Sequence, residues 1–498
     1  MSHMDIVKEL DGFFNPSAVA IIGASREKGA VGRVILENFL TNKEKGIFKG
    51  EVYPVNPKAD EIAGVKCYPS IKEIPGKVDL GVVCVPARIV PKIIEDCGEK
   101  GVKCVIVISA GFSEIGNHAL EEQLVKTAKK HGVRIIGPNC IGIYDPWSGV
   151  DTLFIPMYKD SPKGPLLSMP RPKKGHIAFI SQSGAFGAAV LDYFAGTDLG
   201  LSKFISYGNK CDVDEADLLE YLAEDETTRA IMIYIENIKE GRKFMEISKK
   251  VALKKPIVVL KSGRTAAGAK AAASHTGALA GVDAIYDAAF KQCGVIRARD
   301  MEEFCDMAKA LAMQPPAKGN RIAVVTDGGG CGVMASDEIE FQGMKLAEFS
   351  KETLEKFEEL KKQGILRDFA VTIDPVDLTG SADDRGFVES MKLVLSDLNV
   401  DGVILLPMHQ VPLVTTDLPK KLSEIIKKYG KPVVVCDIGE ADMAKYYRRL
   451  FDEEDIPTYP TPERAVRAIK ALVEYGKILE KLKTSKLKYN SVVNRLRK

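Results

Sequence analysis

The sequence predicts an α/β protein built from three doubly wound parallel-sheet domains of Rossmann or flavodoxin-like type. Three observations carry that prediction. A chain of 498 residues has room for about three domains. Short β-branched runs recur along it, each followed by a glycine-rich turn and then a helical pattern, the alternation that gives parallel strands with crossover helices. Two proline-bearing stretches without periodicity, Gly149–Gly175 and Met313–Gly319, divide the series into three. The domains expected are therefore 1–148, 149–317 with a linker over 149–175, and 318–478, followed by a basic tail over 479–498.

The first domain opens on Ala18-Val-Ala-Ile-Ile22, turns through Gly23 to Gly32, and continues as a helix through Phe39. Strand-like runs follow at Glu51–Val55, Leu80–Val85, Cys104–Ile108 and Arg134–Ile136, and the domain closes at Gly137-Pro-Asn-Cys-Ile-Gly142. Pro162, Pro165, Pro170 and Pro172 mark the next stretch as an extended linker over the surface. The second domain contributes His176–Ile180, Ala230–Glu236 and Pro256–Lys261 as strands. The third contributes Arg321–Thr326, a helix over Cys331–Phe341, and strands at Gly402–Leu406 and Pro432–Cys436. From Lys481 onward there are seven basic residues and no acidic one, which reads as a solvated, frayed tail, with a partner-docking segment as the alternative.

Composition excludes several classes. A net charge of +2, with 45% hydrophobic and 28% charged residues, gives no reason to expect a nucleic-acid or membrane partner. No apolar run reaches the ~18 residues of a membrane span, and Met1-Ser-His-Met-Asp5 opens no secretory core. The ten cysteines are scattered and form no CxxC, which reads as reduced, buried thiols in a cytoplasmic protein.

Six segments carry chemistry. His275 lies in Ala271-Ala-Ala-Ser-His-Thr-Gly-Ala-Leu-Ala-Gly281, among small residues that leave room for a polyanion. It lacks the neighbours a metal site needs, so no metal is expected. An imidazole open on one side can carry a phosphoryl group; a histidine that hydrogen-bonds the backbone is the alternative on this segment alone. The Gly23–Gly32 turn permits close backbone approach ahead of a helix whose unpaired N–H groups suit phosphate. It is not a clean GxGxxG. Val55-Asn-Pro-Lys58 places a lysine where a dinucleotide site presents an acid, which suits an extra phosphate better than a free ribose diol. Ser181-Gln-Ser-Gly184 and Asp327-Gly-Gly-Gly330 each follow a strand and open a helix, as phosphate cradles or as a simple cap and turn. Glu236 ends the apolar strand Ile231–Glu236, where it can accept a ring N–H from an imidazole or simply mark a strand end.

Gly23-Ala-Ser, Val55-Asn-Pro-Lys, Gly137-Pro-Asn-Cys, Ser181-Gln-Ser-Gly-Ala, Gly208-Asn-Lys, Tyr234-Ile-Glu and Ser274-His-Thr-Gly occur in that order. Together they resemble the α subunit of nucleoside-diphosphate-forming acyl-CoA synthetases, the ADP-forming acetyl-CoA synthetase type of the succinyl-CoA synthetase superfamily. The resemblance runs from about Phe13 to about Gly476. It implies a CoA site at Gly23, Ser25, Val55, Lys58, Val85, Pro86 and Ala87, with Ser109 to Glu114, Asn139 and Cys140 toward the thiol end. It also implies that His275 is the phosphorylated histidine and Glu236 its partner. Ser181, Ser183 and Gly184 would hold phosphate at one helix start, and Gly328, Gly329 and Gly330 would open a second helix aimed at the phosphohistidine.

No segment matches a nucleotide-binding ATP-grasp unit. The resemblance therefore places ADP or ATP and Mg²⁺ on a β subunit, in an α2β2 assembly, with CoA, acyl-CoA and phosphate on this chain. Three rivals stand beside it. A CoA-binding regulatory protein without synthetase activity generally lacks the reactive histidine. An NAD-dependent oxidoreductase is opposed by Lys58. A succinyl-CoA synthetase α subunit proper ends near residue 310. The acyl group stays open among acetate, branched-chain, aryl and dicarboxylic acids, as do ADP against GDP and the physiological direction.

Overall fold

The computed structural model describes residues 3–270 and 282–496, with side chains over 5–270 and 282–484. The chain forms two compact units, Met1–Val295 and Ile296–Lys498.

The first unit carries two large sheets. In one, Glu51–Val55, Ala18–Ile22, Leu80–Val83, Cys104–Val107 and Arg134–Ile136 lie side by side in that order, all parallel. In chain order this is 2-1-3-4-5, a flavodoxin-like winding whose switch point falls between the first and third strands. Ala18–Ile22, Leu80–Val83 and Cys104–Val107 are buried at every position, because helices cover both faces of the sheet; hence their apolar runs show no alternation. The covering helices Val90–Lys100 and His118–His131 end on Gly101 and Gly132, left-handed at φ 87° and 63°, whose N–H groups return to carbonyls of the last turn.

The other sheet runs Ile257–Lys261, Ala230–Ile235, Lys174–Ser181 and Leu201–Ser206, all parallel. Gly142–Asp145 then adds antiparallel to Leu201–Ser206, and Val150–Asp151 antiparallel to that. The expected parallel architecture thus carries an antiparallel edge. The stretch 149–175, expected as an extended linker, is fixed at several points. Asp151 and Arg171 form a buried ion pair at 2.7 Å, and Arg171 also donates to the carbonyls of Met169 and Leu153. Between them Tyr158–Lys159 and Leu166–Leu167 pair as an exposed hairpin. Proline content announces irregular backbone, but not this guanidinium–carboxylate clamp.

The second unit has a parallel sheet in the order Lys345–Leu346, Arg321–Thr326, Gly402–Leu406, Val433–Cys436, Thr458–Tyr459, with Val376–Asp377 also pairing Arg321–Thr326. The basic segment from Lys481, expected to fray, continues the helix Pro462–Leu496; no proline or glycine follows Gly476 to stop it.

All ten cysteines are free thiols. Burial pushes Cys97, Cys104 and Cys140 up to about 12, far from thiolate chemistry at neutral pH. Among the described residues no helix is long and apolar enough to cross a membrane, and no group of three His, Cys, Asp or Glu is placed to hold a metal ion.

Candidate functional site

At the switch point of the first sheet, four strand-end loops are tied to one another. Gly23 sits at φ 95°, and a Cβ there would lie 2.6 Å from the Cys84 carbonyl oxygen, so only glycine fits. Its N–H donates to the Val55 carbonyl at 3.0 Å. Asn56 Nδ2 donates to the Ala24 carbonyl at 2.8 Å and Asn56 Oδ1 accepts from the Lys58 N–H at 2.9 Å. Ser25 Oγ accepts from the Glu27 N–H at 3.1 Å, and Ser109 Oγ donates to the Val85 carbonyl at 2.5 Å. Of the expected CoA residues here, Lys58 and Pro86 are exposed, Ser25, Val85, Ala87 and Ser109 half-buried, and Val55 buried so that it offers backbone only.

A cleft of about 740 Å³ opens within the same unit. One wall comes from the first sheet's strand ends, including Ser113, Glu114, Asn139 and Cys140; the other comes from Gln182 to Ala185, Gly208, Asn209, Glu236, Asn237 and Lys239. Ser183 caps the helix Gly184–Gly196, its Oγ accepting from the Phe186 N–H at 3.3 Å. The remaining first-turn N–H groups have no partner within the helix, which makes this wall a place for an anion. Ser181 is fully buried and donates to the Ser183 carbonyl at 2.7 Å, so it shapes the loop and does not line the cleft. Asn139 is exposed, whereas Cys140 is buried with its thiol toward the Val107 carbonyl at 3.4 Å.

Glu236 follows the buried strand Ala230–Ile235 and is itself only 8% exposed. Gln182 Oε1 accepts its N–H at 2.9 Å and that of Asn237 at 3.2 Å, fixing the strand end beside the helix start. Across the cleft, Asn209 Nδ2 lies 2.6 Å from Glu114 Oε2, 2.9 Å from Glu121 Oε2 and 3.1 Å from Ser113 Oγ. Burial acts to raise the Glu114 carboxyl, but the Gly111 N–H and the Asn209 amide outweigh it and hold it below its ordinary range. Gln182, Asn209, Asn237, Lys239 and Glu121 had no assigned role in the sequence reading. The first two stand in the motifs Ser181-Gln-Ser and Gly208-Asn-Lys, which carry no sign of their distant partners.

His275 lies outside the described residues. In the second unit, Gly328 precedes the helix Gly329–Phe341 as its cap residue. Only Gly330 faces open space; a Cβ on Gly328 would meet Met408 Sδ at 2.6 Å, and one on Gly329 the Asp377 carboxylate at 2.5 Å. A Cβ at either position would displace a side chain, Met408 or Asp377. Burial, together with Asp377 and Asp437, pushes the neighbouring Asp327 carboxyl up to about 7. Below about pH 4 it is protonated in both folded and unfolded chains. Between roughly pH 4 and 7 the unfolded chain releases the proton first, so stability falls as pH rises. Asp327→Asn is expected to remove that slope and to stabilise the unit by ~2 kcal/mol at pH 8. Thermal unfolding of parent and variant at pH 4.5 and pH 8 checks this; a parallel pH dependence in the two would refute it.

Residues 17–146 match a CoA binding domain, 174–311 a succinyl-CoA ligase like flavodoxin domain, and 322–482 a ligase-CoA domain. The α subunit of ADP-forming acetate–CoA ligase II from Pyrococcus furiosus is 42% identical over 476 residues, covering 94% of this chain and 98% of that one. The chain belongs to the α subunits of the ADP-forming acetate/acyl-CoA ligases, in the succinyl-CoA synthetase superfamily. The ADP-forming acetate–CoA ligase I of Archaeoglobus fulgidus is 42% identical over 476 residues, and this chain spans 64% of its length. The dinucleotide forming acetyl-coenzyme A synthetase 1 of Ca. Korarchaeum cryptofilum, solved with phosphate and ADP, aligns at 40% identity and a TM-score of 0.85 over 96% of this chain and 98% of that one. The ligase reading, not the regulatory one, is the one this family carries.

Proposed function

We propose that this α subunit binds CoA on the first-sheet loops and carries out acyl and phosphoryl transfer in the 740 Å³ cleft, with His275 as the phosphoryl carrier. One observation supports this above the others. Asn139 and Cys140, expected at the CoA thiol end, share a single cleft with Ser183, Gly184 and Glu236, expected at the phosphate end. The domains are then 1–148 for CoA, 149–317 for phosphoryl transfer and 318–478 as the third, with Gly328–Gly330 at the start of a helix suited to an anion.

Phosphate in the cleft attacks the thioester carbonyl; the C–S bond breaks and CoA leaves, giving acyl phosphate. The Gly184 helix start offsets the oxyanion charge with its N–H groups. The His275 imidazole attacks phosphorus, the bond from phosphorus to the acyl oxygen breaks, and the carboxylate departs. Glu236 accepts the other ring N–H and steadies the imidazolium-like charge. The phosphohistidine passes its phosphoryl group to ADP, which with Mg²⁺ is held by the β subunit. Lys58, exposed beside the Gly23 turn, pairs with a CoA phosphate.

Acetyl-CoA and radiolabelled phosphate are expected to leave acid-labile label on His275. Glu236→Gln is expected to lower the labelling rate about 100-fold with little change in thermal stability, since the amide fits but cannot offset positive charge. Equal loss of both makes Glu236 a structural strand-end residue. Gly23→Ala is expected to weaken CoA binding at least about tenfold, ~1.4 kcal/mol, because the added Cβ spreads the switch-point loops. Calorimetry measures it; unchanged affinity places CoA elsewhere.

A further inference from the structure

The turn Gly208–Cys211 stands between the two sheets of the first unit. Its backbone is bonded to the loop after the first sheet's last strand, Asn209 N–H to the Pro138 carbonyl at 2.9 Å and Cys211 N–H to the Gly137 carbonyl at 3.0 Å. Two consecutive side chains then reach opposite ways. Asn209 reaches the acids Glu114 and Glu121. Lys210 turns inward, 3% exposed, and donates to the Asn237 carbonyl at 2.6 Å and to Glu215 at 3.0 Å. Glu215 is 2% exposed. Lys210 also holds φ at 46°, a left-handed backbone that a lysine adopts at a cost.

A buried ion pair is a poor device for stability alone, because apolar residues of the same volume serve as well or better. What apolar residues cannot replace is the bond to the Asn237 carbonyl, directly after Glu236. Gln182 already holds the N–H groups of Glu236 and Asn237; Lys210 holds the carbonyl on the far side of the same two residues. We propose that Lys210, neutralised by Glu215, is a positioning residue for phosphoryl transfer that fixes the Glu236–Asn237 strand end and so keeps the Glu236 carboxylate aimed at the phosphoryl-carrying imidazole. The inference rests on the role proposed above for Glu236.

The test uses the α/β complex carrying Lys210→Met/Glu215→Met, which removes both charges together and strands neither. A second version, Lys210→Gln/Glu215→Gln, keeps a neutral hydrogen-bonding pair too short to reach Asn237. Labelling from acetyl-CoA and phosphate is expected to slow about 10- to 100-fold in both, with CoA affinity within about twofold of the parent. A parental labelling rate in either folded pair variant overturns the inference. So does a parallel fall of labelling and CoA affinity, which marks a structural pair. Glu236→Gln is run alongside. If it labels normally, the reading of the cleft fails and the inference with it; if it labels poorly while a pair variant labels normally, only the role of Lys210 fails.

Discussion

His275→Ala is expected to abolish net ATP formation from acyl-CoA, ADP and phosphate, a loss of at least about 1000-fold or ~4 kcal/mol in the α/β complex. CoA affinity is expected to stay within about twofold. The asymmetry follows from where the two functions sit. The CoA loops are fixed by first-sheet partners, Gly23 by Val55 and Ser109 by Val85, and the expected CoA residues end at Cys140. The carrier segment belongs to the portion matched by the succinyl-CoA ligase like flavodoxin domain. Cys140, on the cleft wall, is buried with a thiol pushed up to about 12, so it offers no thiolate in place of a lost imidazole. Coupled-assay turnover and CoA calorimetry on the same preparation decide the matter. Retained turnover would remove His275 from the mechanism.

The second large effect concerns the chain on its own. Purified to homogeneity, it is expected to bind CoA, to bind little ATP, and to form no ATP at steady state; adding an ATP-grasp β subunit restores synthesis. The matched segments 17–146, 174–311 and 322–482 take up most of the 498 residues, and none is described as an ATP-grasp domain. The single-chain Archaeoglobus relative is longer, with this chain spanning 64% of it. Continuous ATP production by the isolated chain would mean that a nucleotide site lies within it.

Legibility in the sequence follows the range of the interactions. Ala18–Ile22 and Gly23 were readable because a strand buried on both faces is a run of apolar residues and a left-handed turn needs glycine. The Ser183 cap was readable because it is local. Gln182 was not, since its partners, the N–H groups of Glu236 and Asn237, lie 54 and 55 residues away. Asn209 was not, with partners 88 to 96 residues distant. Ser181 looked like a phosphate ligand because a hydroxyl before a helix fits either use; only its burial separates them. Gly142–Asp145 carries no mark of strand direction, so its antiparallel placement had no local signal. Gly328 and Gly329 read as space left for an anion; that the side chains of Met408 and Asp377, 80 and 48 residues further on, also reach that space has no local signal.

The placement of Gly142–Asp145 bears on any attempt to express the CoA-binding portion by itself. A fragment ending at Ile141 keeps all five strands of the first sheet. One ending at residue 148 takes Gly142–Asp145 with it as an orphan strand, its partner Leu201–Ser206 being left behind. The complementary fragment then bares the flank of Phe204–Ser206, part of a strand buried at every position in the intact chain. Unpaired amides beside apolar side chains invite strand-to-strand aggregation. The shorter cut thus leaves this strand pairing intact, although the longer one respects the composition of the sequence.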